Sequence, residues 1–229
     1  MKILMGPLRT VMEKTFGGIY QNHRWFNGSG SGSLPENTEV YRDFVQDFID
    51  SHDIKSVIDL GCGDWQSTRF MHWDGIQYFG IDVVPDVIEE NRKRYKTDNI
   101  HFASADITHD ELPEADLVII KDVLQHWPNE VVMQFLKRLE KYKYVLITNT
   151  VEIWDISDAK KHVDISGDIN RDIELGDGRA LDISKPPFNF PVQEVLRYPS
   201  TKRHRPVQDI KTINLFERQQ AKTVRYHSF

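Results

Sequence analysis

The chain has 229 residues, 39% of them hydrophobic and 28% charged, which is enough to form the core of one α/β domain with extensions. A formal net charge of −6 argues against general nucleic-acid binding. The single cysteine, Cys62, excludes an intramolecular disulfide and fits a reducing compartment. No stretch approaches the roughly 20 apolar residues that span a bilayer, and the first residues do not form a signal peptide, so we expect a cytoplasmic protein without a membrane anchor.

The first part of the chain combines two helical segments with a flexible stretch between them. Residues up to about 18 have weak helical character, and residues 35–51 carry apolar side chains at helical spacing. Between them lies the Gly/Ser segment, residues 27–33, whose composition is typical of a flexible chain. It is either an inert linker or a loop that becomes ordered over a ligand. We predict an N-terminal extension and lid over residues 1–34, and a main domain over residues 35–229.

Apolar strands then alternate with amphipathic helices. Continuously apolar strands indicate a parallel sheet covered on both faces, and right-handed crossovers make such a sheet doubly wound. We predict an α/β fold with a mostly parallel seven-stranded sheet and an antiparallel last strand. The predicted strands are residues 56–60, 77–81, 100–104, 117–120, 144–148, 193–198 and 212–217, and the predicted helices run from Pro85 to about Tyr95 and from Pro128 to Tyr142.

The stretch from residue 151 to 191 is rich in Asp, Gly and Pro and has little periodicity. It predicts long loops. Loops of this length in a compact domain usually serve a function, and the large side chains of Trp154, Phe188 and Phe190 need a cover. We therefore expect this stretch to form the region that binds the substrate.

Three successive predicted strands each end in an aspartate: Asp59, Asp82 and Asp106. In doubly wound sheets, ligands bind at the carboxyl ends of the strands. A carboxylate after the second strand suits the two hydroxyls of a ribose, and one after the third can accept a hydrogen bond from an adenine amino group. The three acids together predict a nucleoside site.

The turn after the first strand reads Gly61-Cys62-Gly63, in which the glycines permit a tight bend and close approach of a ligand. A dinucleotide fingerprint would place a third glycine where the chain has Gln66, which argues against NAD. The loops are acidic and lack a phosphate-binding Gly-x-x-x-x-Gly-Lys sequence, so the ligand should be a nucleoside without phosphates. S-adenosylmethionine, with its adenine, ribose and sulfonium cation, fits this description.

Residues 55–150 resemble class I (Rossmann-like) S-adenosylmethionine-dependent methyltransferases. The resemblance lies in four ordered motifs: residues 57–63, residues 80–82, residues 105–107 and residues 116–128. It implies that the first motif holds the methionyl part of the cofactor, the second the ribose and the third the adenine. The implied cofactor-binding residues are Asp59, Gly61, Cys62, Gly63, Asp82, Val83, Asp106, Ile107 and Lys121.

The flanks resemble a subset of bacterial methyltransferases often encoded near polysaccharide genes. The similar stretches are residues 19–33, 178–182 and 186–188. This second resemblance implies that the methyl acceptor is a sugar or a glycan precursor.

A hydroxyl acceptor must lose its proton, so its methylation needs a general base, whereas an amine or a carboxylate needs none. His126 follows the fourth predicted strand and titrates near neutral pH, so it is the candidate base unless it is a structural residue packed near Trp127. Asp122, at the end of the same strand, is the second catalytic candidate. Its neighbour Lys121 is either a cofactor contact or a salt-bridge residue on the rim.

Two charged groups have simpler interpretations than a site. The basic cluster at residues 202–205 is either a solvated loop or a grip for a phosphate. His162 and the aspartates after it match no metal-ligand spacing, so we predict no metal. Three functional hypotheses remain open: methylation of a sugar or glycan hydroxyl, methylation of an amine or carboxylate on a small metabolite, and a non-catalytic cofactor-binding scaffold.

Overall fold

The structure is a computed structural model that describes residues 6–25, 28–158, 160–201 and 206–218. The α-helices in this part of the chain are α1 (Gly6–Gln21), α2 (Glu39–Ser51), α3 (Pro85–Tyr95) and α4 (Asn129–Leu139). Helix α3 has its predicted bounds, with Pro85 in the first turn, where proline is favoured. Helix α2 begins later than predicted because residues 35–37 form a separate 3-10 turn.

The strands of the described residues form one sheet. They are β1 (Ser56–Leu60), β2 (Gln77–Asp82), β3 (Ile100–Ser104), β4 (Leu117–Lys121), β5 (Tyr144–Asp158), β6 (Lys161–Asp164), β7 (Gln193–Thr201) and β8 (Val207–Glu217). Their order is β3-β2-β1-β4-β5-β8-β7, and β6 pairs with β5 outside this path. Strands β1 to β5 run parallel, whereas β8 runs antiparallel between β5 and β7. The predicted fold class is confirmed.

The prediction of loops from residue 151 onward was wrong at its start. Strand β5 continues to Asp158, and β6 follows it. The extension exists because β5 pairs with β8 as far as Asp155 opposite Val207, a long-range pairing that local composition does not reveal. Strands β7 and β8 are longer than predicted for the same reason. The basic cluster at residues 202–205 lies outside the described residues.

Apolar side chains cover both faces of the sheet. Phe135 of α4 and Leu181 of the long loop pack on one face, together with Met12 of α1. Val45 of α2 and Ile88 of α3 pack on the other. Because Met12 is part of this core, α1 is packed against the domain, while the predicted boundary at residue 34 stays a prediction. None of the helices in the described ranges is long and apolar enough to cross a membrane.

Candidate functional site

A cavity lies at the carboxyl ends of β1 to β4. The chain builds the sheet in one direction from β1 to β3 and in the other direction from β4 onward, and the cavity lies where these two directions meet. The space that protein atoms do not fill is about 680 Å³, and part of this volume is open solvent. Its lining includes the predicted residues Gly61, Gly63, Asp82, Val83, Asp106, Ile107, Lys121, Asp122 and His126. It also includes residues that lie in the predicted N-terminal extension and lid but were not predicted individually as site residues, namely Met12, Phe16, Tyr20, Trp25, Ser29 and Ser33.

The turn after β1 needs both of its glycines. Gly61 and Gly63 have φ angles of 78° and 54°, in the left-handed region that favours glycine. A Cβ atom on Gly61 would lie 2.3 Å from Cγ2 of Val123, and one on Gly63 would lie 2.1 Å from Oγ of Ser29. The bare backbone of this turn is therefore what allows the neighbouring loops to close over it.

Asp82 is held in place by the backbone on both sides. Its Oδ2 accepts a hydrogen bond from the Gly63 N–H at 3.0 Å, and its Oδ1 accepts one from the Val84 N–H at 3.0 Å. Burial raises the pKa of Asp82, and these N–H groups offset part of that effect. The carboxylate thus ties the β1 turn to the end of β2 and faces the cavity.

Asp106 carries an oxygen that makes no hydrogen bond to any of the described residues. Its Oδ1 accepts hydrogen bonds from the backbone N–H of Thr108 at 2.9 Å and from its hydroxyl at 2.6 Å. Its Oδ2 is buried without a hydrogen bond, 3.5 Å from Nδ1 of His109. Since a buried unpaired acceptor is costly, this oxygen fits a donor such as the adenine amino group.

Two predicted cofactor residues have side chains that do not line the cavity. Asp59 is buried, and its Oδ2 accepts hydrogen bonds from the Tyr78 hydroxyl at 2.8 Å and the Thr68 hydroxyl at 3.0 Å. Burial raises its pKa to about 6. Cys62 directs its thiol towards the carbonyl of Gly63, at 3.6 Å, and burial raises the pKa of that thiol. Both side chains therefore pack within the protein beside the Gly61–Gly63 turn and do not face the cavity.

A charged cluster that sequence reasoning missed in part joins Lys121 and Asp122 of the cavity lining to Lys211, which is bonded to Asp122 but does not itself line the cavity. Lys121 and Lys211 donate to opposite oxygens of Asp122, each at 2.5 Å. Lys121 also donates to the carbonyl of Gly32 at 2.7 Å, and Lys211 to Oγ1 of Thr150 at 3.1 Å. Lys211 is 1% exposed, and it was not predicted as a site residue because it lies just before the predicted strand of residues 212–217.

The cluster determines the protonation state of Asp122. Burial alone would raise the pKa of this carboxyl, but the two ammonium groups hold it well below its usual range. Burial lowers the pKa of Lys121, and Asp122 opposes that effect. Because Asp122 stays ionised and is shared by two lysines, it is a poor proton acceptor and is better suited to positioning.

His126 lines the same end of the cavity, with its ring centroid 5.0 Å from that of Trp25. Its Nδ1 lies 2.7 Å from the carbonyl oxygen of Asp177. A carbonyl only accepts, so Nδ1 carries the proton and Nε2 carries a lone pair in the neutral ring. Burial lowers the pKa of His126, which favours this neutral form.

Arg179 fixes the loop that carries His126. Its guanidinium is 4% exposed and donates to the carbonyls of Trp127 at 2.8 Å and Gln125 at 3.2 Å, and to Oδ1 of Asn129 at 2.8 Å. Burial lowers the pKa of Arg179 to about 10. The N–H of Gly176 bonds to the carbonyl of His126 at 2.9 Å. Residues 176–179 therefore fix the position of the His126 imidazole and of the loop that carries it.

Arg179→Met is expected to lower the free energy of unfolding by roughly 2–4 kcal/mol, because three acceptors lose their buried donor. Urea denaturation with an unchanged slope measures this loss. Arg171→Met is the matched control, since Arg171 is exposed and its guanidinium donates to the carbonyl of Gly178 at 3.2 Å. Equal stability of the two variants would contradict the bracing role of Arg179.

The described part of the Gly/Ser segment lies over the β1 turn. Ser29 donates from its hydroxyl to Oδ1 of Asp64 at 2.7 Å and from its N–H to Oδ2 at 3.2 Å, and the Asp64 N–H donates back to the Ser29 hydroxyl at 3.0 Å. The hydroxyl of Tyr20 lies 2.6 Å from that of Ser29. We propose that the segment is a lid, because a linker would not make these contacts.

The described residues contain no group of three or more His, Cys, Asp or Glu side chains that could hold a metal ion.

Comparisons with known proteins agree on the family. Residues 13–152 match the family model described as the O-methyltransferase domain. Malonyl-[acyl-carrier protein] O-methyltransferase of Acetivibrio thermocellus is 29% identical over 85 residues, which are 36% of this chain and 30% of that protein. The chain therefore spans less than a third of the length of this curated relative.

Two solved structures share the fold at low sequence identity. The 1,6-didemethyltoxoflavin-N1-methyltransferase of Burkholderia thailandensis has a TM-score of 0.58 at 11% identity, over 94% of this chain and 91% of that one. Magnesium protoporphyrin IX methyltransferase of Synechocystis PCC 6803 has a TM-score of 0.58 at 14% identity, over 93% of this chain and 99% of that one. The first structure contains S-adenosylhomocysteine, and the second contains S-adenosylmethionine.

The family model covers more than half of the 229 residues, and the sheet order, the glycine turn and the unpaired oxygen of Asp106 all agree with it. The protein belongs to the O-methyltransferase domain family, and its cofactor is S-adenosylmethionine.

Proposed function

We propose that the protein transfers a methyl group from S-adenosylmethionine to a hydroxyl oxygen of a small polar acceptor, a sugar or glycan precursor. The observation that carries this proposal is the state of His126, a neutral imidazole whose Nδ1 proton is committed to the carbonyl of Asp177. Such a ring has an unprotonated Nε2, which is what a general base for a hydroxyl requires.

At the cofactor end, three groups would hold the parts of the nucleoside. The backbone of the Gly61 and Gly63 turn would receive the methionyl part, Asp82 the ribose hydroxyls, and Oδ2 of Asp106 the adenine amino group. Val83 and Ile107 line the cavity between these acids and offer apolar contact to the adenine ring. The unpaired buried oxygen of Asp106 supports this arrangement most directly.

The acceptor end combines polar groups with an aromatic ring. His126, Asp122 and Ser33 line the cavity on this side together with Trp25. Hydroxyl groups and a flat apolar ring suit the polar edges and the C–H face of a sugar. The sequence resemblance of residues 19–33 to polysaccharide-associated methyltransferases supports the same class of acceptor.

The cofactor supplies the reactivity, as a methyl group on a positively charged sulfur, and the protein aligns the acceptor. The acceptor oxygen bonds to the methyl carbon as the carbon–sulfur bond breaks and its electron pair passes to sulfur. The acceptor proton passes to Nε2 of His126, which then releases it to solvent. Closure of the Gly/Ser lid over the β1 turn would keep water out of this step.

The test is release of S-adenosylhomocysteine from S-adenosylmethionine in the presence of acceptors, beginning with nucleotide sugars and free sugars. We expect acceptor-dependent release and a methyl ether product that is stable to alkali. Release without acceptor specificity, or no release from a protein that binds the cofactor, would overturn the proposal.

A carboxylate is the second candidate acceptor, because the ammonium groups of Lys121 and Lys211 lie together at the acceptor end. The name of the Acetivibrio thermocellus relative specifies a malonyl acceptor for that protein. A methyl ester product, which alkali cleaves, would identify this reaction, and it would need no base.

Gly63→Ala tests the contact between the turn and the lid. A Cβ at position 63 would lie 2.1 Å from Oγ of Ser29 and 2.9 Å from the hydroxyl of Tyr20, so it should displace the lid. We expect S-adenosylhomocysteine binding, measured by calorimetry, to weaken by about tenfold, equal to about 1.4 kcal/mol. Gly75→Ala is the matched control, because Gly75 has a φ of 76° but nothing within 4 Å of a Cβ. Equal Kd values in both variants would show that the contact between the turn and the lid does not contribute to cofactor affinity.

A further inference from the structure

Lys211 is a buried cation to which the proposed methyl transfer assigns no role. Its ammonium group donates to Asp122 and Thr150, and that of Lys121 donates to Asp122 and Gly32. An ammonium group has three N–H donors, so these bonds account for two on each lysine. Two cations share the single carboxylate that they both contact, and burying a charge is costly unless it is paired.

Among the described residues, Asp122 is the carboxylate that forms an ion pair with each of these two lysines, and no second one is within ion-pair distance. Asp59 acts electrostatically on Lys121, but its Oδ2 already accepts hydrogen bonds from Thr68 and Tyr78. Further buried polar atoms lie beside the cluster without a hydrogen bond. The hydroxyl of Tyr198, which pairs across the strands with Lys211, is one of them, and Oγ1 of Thr148, which pairs with Lys121, is another. These atoms are additional donors for an incoming group.

The cluster lies on the acceptor side of the cavity. Lys211 is on β8, and β5 and β4 separate that strand from β1. With neighbouring strands about 4.8 Å apart, β8 is roughly 14 Å from β1. The proposed nucleoside contacts lie in the opposite direction, at the ends of β2 and β3.

We propose that Lys121 and Lys211 form a subsite for an anionic group, a carboxylate or a phosphate, carried by the methyl acceptor. This inference rests on the proposed function and narrows its substrate class to anionic acceptors. The anion would bond to the remaining N–H groups of the two lysines and to the N–H group of Lys121 that now bonds to the carbonyl of Gly32.

The lid occupies part of this subsite in the structure. The carbonyl oxygen of Gly32 lies 2.7 Å from Nζ of Lys121, and a Cβ on Gly32 would lie 3.7 Å from Nζ of Lys211. This carbonyl takes the place that an anionic oxygen would take. Acceptor binding therefore displaces Gly32, and the segment closes again around the bound anion.

The test is a titration of protein saturated with S-adenosylhomocysteine, followed by amide chemical shifts. Malonate and inorganic phosphate are the anionic probes, and 1,3-propanediol is the neutral match for malonate. We expect saturable binding of at least one anion, no binding of propanediol, and anion binding at least about tenfold weaker in Lys211→Met. Lys211→Arg keeps the positive charge and should retain anion binding. That result would show that the protein tolerates a substitution at this position. Lys137→Met, at an exposed position of α4, removes the same charge from the molecule and should change nothing.

The outcomes separate this inference from the proposed function. Failure of the wild-type protein to bind S-adenosylhomocysteine would overturn both. Cofactor binding without anion binding, or anion binding unchanged in Lys211→Met, would overturn the subsite alone. The Lys211→Met variant can also lose affinity for S-adenosylhomocysteine while it keeps affinity for 5′-methylthioadenosine, which lacks the amino-acid carboxylate. That result would assign the cluster to the cofactor's own carboxylate and overturn the acceptor assignment. Preference for malonate over phosphate, or the reverse, identifies the anion.

Discussion

Asp82→Ala is expected to weaken S-adenosylhomocysteine binding by at least about a hundredfold, because two hydrogen bonds to a charged acceptor are lost at roughly 1.5–3 kcal/mol each. The loss has a second cause in the structure. The same carboxylate accepts the N–H of Gly63, so its removal also releases the turn that would receive the methionyl part. Calorimetric titration of the purified variant measures the change in Kd.

The control for this experiment is Asp86→Ala, which removes an exposed carboxylate from the first turn of α3. Asp82→Asn gives an intermediate test, since the amide keeps the shape and one acceptor oxygen but loses the charge. Cofactor affinity within threefold of wild type in Asp82→Ala, with the fold intact, would remove Asp82 from the cofactor site.

His126→Ala is expected to lower turnover by roughly 10²–10⁴-fold, the usual contribution of a general base, while the Kd for S-adenosylhomocysteine stays within about twofold. The two effects separate because His126 lies at the acceptor end, away from Asp82 and Asp106. Release of S-adenosylhomocysteine measures the turnover. His72→Ala, which removes an exposed imidazole, is the control. Undiminished turnover in His126→Ala would exclude the base and favour the carboxylate acceptor.

The pH dependence follows from the direction of the His126 pKa shift. Burial lowers this pKa below the ordinary value of about 6.5, and the hydrogen bond to Asp177 opposes the shift. The neutral ring is the active form, so activity is lost as the pH falls through the lowered pKa. We expect the acidic limb of kcat/KM to lie below about pH 6.5. A limb above that value would assign the titration to another group.

The sequence predicted those parts of the fold that depend on local pattern. The strands of the parallel half and helix α3 were visible because each is a short apolar run or an amphipathic period. The extension of β5 to Asp158 was not visible, because polar and acidic residues interrupt its apolar ones and the strand depends on pairing with β8. The length of β8 was hidden in the same way, so Lys211 was not recognised as part of the site.

The candidate site was predictable where the residues follow strands. Asp82, Asp106 and His126 lie in the cavity because parallel strands bring their carboxyl ends together. Asp59 lies within β1, one residue before its end, and its side chain is bonded to Tyr78 and Thr68 in the core, whereas Asp82 ends β2 and Asp106 follows β3. Tyr20 and Ser29 were not assigned because a helix and a loop carry them, and no pattern in the sequence specifies where those segments dock.

The hydrogen bonds between Ser29 and Asp64 connect the proposed lid directly to the turn that we propose receives the cofactor. Each catalytic cycle must exchange a used cofactor for a fresh one, and under this proposal the exchange would require these bonds to break and re-form. The frequency of that opening is then an upper limit on turnover, whatever the speed of the chemical step. Selection for a faster enzyme would act on the strength of the Ser29–Asp64 hydrogen bonds as much as on the general base. Weaker hydrogen bonds there would also admit more water to the reacting groups.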